Sequence, residues 1–313
     1  MSSSDASQTL HKVLCASQTY SPSIASRSRW HRIRGLRLHV RSWRTPGRSP
    51  STVVMLHGWM DCSASFQFIV DRLRRPWTVH APDWRGFGLS GRTSADSYWF
   101  PDYLADLDRL LERLSPDRPV DLVAHSMGGN IAMLYAGTRP ERVRRLVNLE
   151  GFGLRGTPSA QAPDRYRRWL DELAAPAPRA ARPYDSIEAV AERLMRANPR
   201  LTAERALFVA RHWTRHREQG GFEMLGDPVH KVVNPVLYRV PEVLACWRRV
   251  RAPVLWVMAE EQPAERWYSD ERELERRMRA VASLQRVTLP DTGHMLHHDQ
   301  PDRIAELVEA FLT

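Results

Sequence analysis

The 313-residue chain is short of several things, and each shortage removes a class of protein. Cysteine comes first: Cys15, Cys62 and Cys246 are odd in number, far apart, and form no C-x-x-C pair. That excludes a disulfide framework and fits a reducing, cytoplasmic setting, with each cysteine read as a small buried hydrophobe. No apolar run approaches the ~18–20 residues a membrane helix needs, so no membrane span is expected. Lysine is limited to Lys12 and Lys231, so the net charge of +10 is almost wholly arginine. The arginines are scattered and mixed with acids, as in "ERELERRMR" (271–279), which reads as solvated helix surface. With no zinc-finger, RNA-recognition or helix-turn-helix pattern beside them, nucleic acid is not expected as a partner. Residues 1–28 are serine-rich, nearly acid-free and hold only "VLCA" as an apolar run. That run is too short for a secretory h-region, so the stretch reads as a disordered extension outside the fold.

From Trp30 the pattern becomes regular. "WHRIRG" and "LRLHVRSW" alternate apolar and polar residues across Arg34-Gly35, the signature of a β-hairpin. Short apolar runs at "TVVML" (52–56), "WTVHA" (77–81), "VDLVA" (120–124) and "VRRLVNL" (143–149) read as buried strands. Amphipathic segments lie between them, including "SASFQFIVDRL", "DYLADLDRLLERL" (102–114) and the helix from Met127 to about Thr138. The rhythm returns at "APVLWVMA" (252–259), "ERELERRMRAV", "LQRVTL" and "DRIAELVEAFL". Strands alternating with helices predict an α/β fold with a mostly parallel sheet covered on both faces. Residues 152–249 interrupt it with six prolines before residue 200 and helical stretches such as "SIEAVAERLMR", and without a convincing buried strand. The expected organisation is a core of residues 29–151 and 250–313 with a helical cap, 152–249, above the strands' carboxyl ends, where open α/β sheets bind ligands.

"VAHSMGGN" (123–130) sets Ser126 between a strand and a helix, the context of the G-x-S-x-G nucleophile elbow. Small residues are needed two before and two after the serine; Ala124 and Gly128 supply them. A serine nucleophile needs a base, and His294 in "PDTGHMLHHDQP" (290–301) follows the last strand. His297 and His298 suggest a metal only if an acid or cysteine completes the set; none is suitably spaced, and both read as the start of a helix. An oxyanion site needs preorganised N–H donors. Met127, the residue after Ser126, offers one, and Trp59 in the loop "LHGWMD" (56–61) offers the other. His57 and Gly58 read as loop-shaping, as do Asp83 and Arg85 in "PDWRGFG".

"LHGWMDCSASF", "PDWRGFGLSG", "AHSMGG" and "DTGHMLHHDQP", in that order, resemble the α/β-hydrolase superfamily. The capped branch, with serine esterases, haloalkane dehalogenases and epoxide hydrolases, is most similar. Dehalogenases and epoxide hydrolases carry an aspartate nucleophile, so Ser126 implies the serine-hydrolase side, similar to the serine hydrolase-like proteins. The resemblance also implies a triad acid, usually an aspartate after the penultimate strand. That stretch reads "WVMAEEQPAERW" (256–267), with Gln262 at the expected position and Glu260 and Glu261 just before it. Some capped members place the acid at the end of the strand following the nucleophile's helix, and here that position is Glu150 in "RLVNLEGFGL". Glu150 is chosen, with Glu261 and Glu260 in reserve.

The expectation is a cofactor-independent, metal-free serine hydrolase of a carboxylic ester. Its small-molecule substrate would be hydrophobic or aromatic, met by Tyr166, Trp169, Trp213 and Trp247 in the cap. C–C bond hydrolysis, acyl transfer and perhydrolysis use the same constellation. A non-catalytic binding protein is the rival class, with Gln262 in its favour.

Overall fold

A computed structural model describes residues 10, 12–47, 51–175, 183–261, 268 and 270–313. Ten strands are described: β1 (Arg27–Ile33), β2 (Leu36–Arg44), β3 (Thr52–Leu56), β4 (Thr78–Pro82), β5 (Val120–His125), β6 (Val143–Leu149), β7 (Thr214–His216), β8 (Phe222–Met224), β9 (Val254–Ala259) and β10 (Leu284–Leu289). Eight form one sheet in the order β1-β2-β4-β3-β5-β6-β9-β10. The first two pairings, β1 with β2 and β2 with β4, are antiparallel, and the rest are parallel. Arg34 and Gly35 turn the β1–β2 hairpin with φ of 47° and 83°, the double-positive pair that a two-residue turn matching strand twist requires.

The longer helices among the described residues are α1 (Phe100–Leu114), α2 (Met127–Thr138), α3 (Ala162–Ala174), α4 (Ile187–Ala197), α5 (Ala203–Trp213), α6 (Val240–Trp247), α7 (Glu271–Met278) and α8 (Pro301–Leu312). Successive strand side chains point to opposite faces, so each central strand feeds two cores. Val54, Leu56, Leu122, Leu146 and Trp256 pack with α1, α2 and α6. Val53, Met55, Val123, Val147 and Val257 pack with the turn Gln67–Val70 and with α8. The expected amphipathic helix after β3 is therefore shorter than its sequence pattern: a 3-10 turn, Ser63–Phe66, followed by one α turn.

Between β6 and β9 the chain makes α3 to α6 and a small β7–β8 hairpin. Helices α4 and α5 have a core of their own around Val190, Leu201 and Leu207. Phe208 and Val209 then dock on Cys62 and Phe68 of the loop after β3.

Two readings of the sequence need correction. The described part of residues 1–28 is not outside the fold. Leu14 is 1% exposed within the α4–α5 core, and the Tyr20 hydroxyl donates to Asp71 Oδ2 at 2.8 Å. Their apolar partners lie far along the chain, which a local pattern does not reveal; residues 1–9 and 11 lie outside the described residues. Of the cysteines only Cys62 is buried; Cys246 is half-buried and Cys15 exposed.

Candidate active site

The strand order reverses between β3 and β5, which opens a crevice at their carboxyl ends. Ser126 sits there, between β5 and α2, with φ 50° and ψ −114°. A non-glycine residue in such a conformation stores ~1–3 kcal/mol and persists only if its surroundings fix it. The fixing is visible. The Ser126 N–H donates to Leu149 O at 2.8 Å, and a Cβ at Gly128 would lie 2.3 Å from Leu56 O and 2.7 Å from His57 O. Ala124 is fully buried two residues earlier. The small residues are there because β3 backbone runs against the elbow.

Register brings Glu150 beside Ser126. His125 pairs with Leu149 across β5–β6, so the residues that follow are also neighbours. Glu150 has φ 61°, donates its N–H to Val257 O at 3.0 Å, and accepts the Ala259 N–H on Oε1 at 2.5 Å. Its carboxylate is thus held on β9 and 5% exposed.

His294 enters from the loop after β10. That loop is pinned at Gly293, whose N–H donates to Asp299 Oδ2 at 2.9 Å, and at His294 O, which lies 2.8 Å from His125 Nε2. His294 Nε2 lies 2.9 Å from Ser126 Oγ, and its Nδ1 lies 3.5 Å from Glu150 Oε2. The first is a hydrogen-bond distance; the second is an ion-pair distance, longer than a well-formed hydrogen bond. The reserve acids stand elsewhere: Glu261 pairs with Arg200, and Glu260 Oε2 accepts the Asp291 N–H at 3.2 Å. Gln262 lies outside the described residues.

Met127 begins α2, and the Gly58–Trp59 backbone lies against the elbow: a Cβ at Gly58 would be 3.2 Å from Ser126 Cβ. The loop is held from behind. The Trp84 N–H donates to His57 Nε2 at 3.0 Å, and the Trp84 indole donates to His57 O at 2.9 Å. Burial lowers the His57 pKa, which keeps it neutral for that role. Asp83 accepts the Ser63 and Leu89 N–H groups at 2.6 and 2.9 Å. Burial alone would raise its pKa, but hydrogen bonds from His39 and the backbone take it to about 2. Arg85 forms a two-pronged pair with Asp106 at 2.5 and 2.7 Å.

Beside Met127 and Trp59 is a cavity of about 170 Å³, walled by Tyr98, Phe100, Tyr103 and His230 as well. The insert contributes His230, sandwiched between Phe87 and Tyr98 with both ring centroids 3.7 Å away. None of the four aromatics expected to line a pocket borders this cavity. Trp247 packs against Phe152 in the core with its ring tilted by 44°, and the Trp213 indole donates to Asp61 Oδ1 at 3.1 Å. Tyr166 is exposed and Trp169 half-buried on α3. Tyr98 and His230 carry no local motif; only the fold brings them together.

Residues 51–301 match the model of a family described as alpha/beta hydrolase fold. A serine hydrolase-like protein of Danio rerio is 28% identical over 268 residues, 83% of this chain and 81% of that protein. A 2-hydroxy-6-oxo-2,4-heptadienoate hydrolase of Pseudomonas putida is 36% identical over 105 residues, covering 33% of this chain and 38% of its own length. Among solved structures, the thioesterase domain from the curacin biosynthetic pathway superposes with a TM-score of 0.79 at 25% identity, over 91% of this chain and 99% of that domain. With a family match running from β3 to the start of α8, and a fold shared along nearly the whole chain, this protein belongs to the alpha/beta hydrolase family.

Proposed function

We propose that this hydrolase cleaves a carboxylic ester through an acyl-enzyme, with Ser126 as nucleophile, His294 as base and Glu150 as the acid that orients it. The observation that carries the reading is the 2.9 Å contact of His294 Nε2 with Ser126 Oγ, with Glu150 Oε2 on the other ring nitrogen. Ser126 Oγ attacks the ester carbonyl as His294 Nε2 takes its proton. The N–H groups of Met127 and Trp59 stabilise the oxyanion, and His294 returns the proton to the leaving alcohol. Water then attacks the acyl-enzyme by the same route and releases the acid. Glu150 keeps the proton on Nδ1 and stabilises the imidazolium; its second oxygen, held by the Ala259 N–H, prevents it from turning away.

The insert acts in this reading as a cap. Its His230 closes the 170 Å³ cavity, whose aromatic walls and small size favour a short or flat hydrophobic acyl group. A thioester is the second reading, favoured by the similarity to a thioesterase domain.

A fluorophosphonate probe tests the nucleophile. One label per chain is expected on Ser126, and none on Ser126→Ala. Equal labelling of both proteins would refute the assignment. Matched oxygen-ester and thioester substrates then separate the two readings by kcat/KM.

A further inference from the structure

Beside the elbow lies a second group of chemically able side chains that the proposed reaction does not use. Asp61, His125 and His297 are 4%, 1% and 0% exposed, and each offers a ligand atom within 4.8 Å of those of the other two. His297 and Asp61 are far apart in sequence, which is why the histidine pair after β10 shows no acidic partner when read along the chain.

The hydrogen bonding of the three is unfinished in a specific way. Asp61 Oδ1 is fully engaged: it accepts the Cys62 N–H at 2.7 Å, the Trp213 indole at 3.1 Å and the Ser65 hydroxyl. Oδ2, on the same buried carboxylate, has no hydrogen-bond partner among the described residues. His125 Nε2 lies 2.8 Å from the His294 carbonyl, an acceptor only, so Nε2 carries the proton and Nδ1 keeps the lone pair. Nδ1 has no partner among the described residues either, and Gly58 leaves room beside it, since a Cβ there would stand 2.8 Å away. Both nitrogens of His297 are likewise without a hydrogen bond, and its Nε2 lies 3.7 Å from Asp61 Oδ2. Buried polar atoms are almost always satisfied, so three buried groups with unpaired atoms and ligand atoms within 4.8 Å of one another point to something they share.

We propose that Asp61, His125 and His297 form a binding site for one divalent transition-metal ion of the zinc type. Two imidazoles and one carboxylate are a borderline-soft donor set that suits Zn²⁺ and disfavours Mg²⁺ or Ca²⁺, which prefer oxygen alone. The size fits. The ligand atoms lie within 4.8 Å of one another, so an ion between them would lie no more than ~2.8 Å from each, and each ligand moves by at most ~0.7 Å to reach the usual 2.0–2.1 Å. The outer contacts are those of a metal site as well. His125 donates its remote N–H to a backbone carbonyl, and the ligating carboxylate is fixed through its other oxygen, which sets tautomer and orientation before an ion arrives. A water would complete four-coordination. The ion would lie one residue from Ser126 and, through His125, one hydrogen bond from the backbone of His294. The site is independent of the ester-hydrolysis reading and is tested without measuring turnover.

The test is calorimetric titration of chelator-treated full-length protein with Zn²⁺ alone, alongside His297→Phe and Asp61→Asn. His297→Phe keeps a ring in the place beside Phe66, and circular dichroism checks its fold. The expected result is one ion per native chain with at least a ten-fold loss of affinity in each folded variant. X-ray absorption of the native protein is expected to report two imidazoles among nitrogen and oxygen ligands, and it decides the matter if neither variant folds. Native protein that takes up no ion, or binds it no better than His297→Phe does, overturns the proposal. So does a zinc environment without imidazole pairs.

Discussion

In the central sheet, neighbouring residues of one strand serve two different cores, so Val53 and Val54 already belong to opposite faces. In the insert, α3 buries none of its residues, and α4 and α5 share a small core that Leu10 and Leu14 from the chain's beginning join. The two regions also contribute differently to the site. The sheet delivers Ser126 and Glu150 just past the ends of β5 and β6, each tied to the next strand by a backbone hydrogen bond, and His294 from the loop after β10, whose carbonyl lies 2.8 Å from His125 Nε2. The insert delivers side chains such as Val232 and His230 to the cavity wall. In the proposed reading, chemistry rests on the sheet and substrate choice on the insert.

The contrast is broken most severely at glycines. Gly128→Ala drives a methyl group into the Leu56 and His57 carbonyls, backbone atoms that cannot yield. It is expected to cost at least ~2 kcal/mol by denaturant titration and to abolish Ser126 labelling. Gly220→Ala, in the β7–β8 turn, meets nothing within 4 Å and carries only the penalty of its φ of +87°. About 1 kcal/mol is expected there, with labelling unchanged. Equal losses at the two positions would erase the distinction.

Substrate choice sharpens it at smaller magnitude. Val232→Phe narrows the cavity from the insert side. It is expected to lower kcat/KM for a bulky acyl ester about ten-fold relative to acetate, while labelling by a small fluorophosphonate stays within about three-fold. A parallel fall in labelling would mean that the insert shapes the chemistry too.

The smallest effect is on pH-dependent stability. Burial holds His212 and His230 of the insert at about 4, where an unfolded histidine titrates near 6.5. Between those values the unfolded chain binds protons that the folded one refuses, so stability is complete above 6.5 and is lost as pH falls toward 4. The melting temperature is expected to drop between pH 7 and 5, and less so in His230→Phe, which keeps the stacked ring between Phe87 and Tyr98. A melting temperature that rises over that range contradicts the account.

Legibility follows the same division. Strands β3, β6 and β10 match the sequence reading residue for residue; β3 does so because a strand buried on both faces is written as a short apolar run, and β10, an edge strand with only Leu289 buried, because it continues the strand–helix alternation. The place of Glu150 was legible from sheet adjacency: it follows the strand beside the elbow's own. The cavity wall was not, because an aromatic such as Trp247 has the same composition whether it faces a core or a cavity. Leu14 escaped notice because its partners lie in α4 and α5, and Asp61 because nothing local links it to His297.

In the proposed triad the acid follows β6 and does not come from the loop after β9. The direct measurement is kcat for p-nitrophenyl acetate in Glu150→Gln and Glu261→Gln, with circular dichroism of both. The account predicts a fall of ~10³–10⁴-fold for Glu150→Gln and a change within about three-fold for Glu261→Gln, whose carboxylate is paired with Arg200. Near-native turnover in Glu150→Gln with a large loss in Glu261→Gln would contradict it.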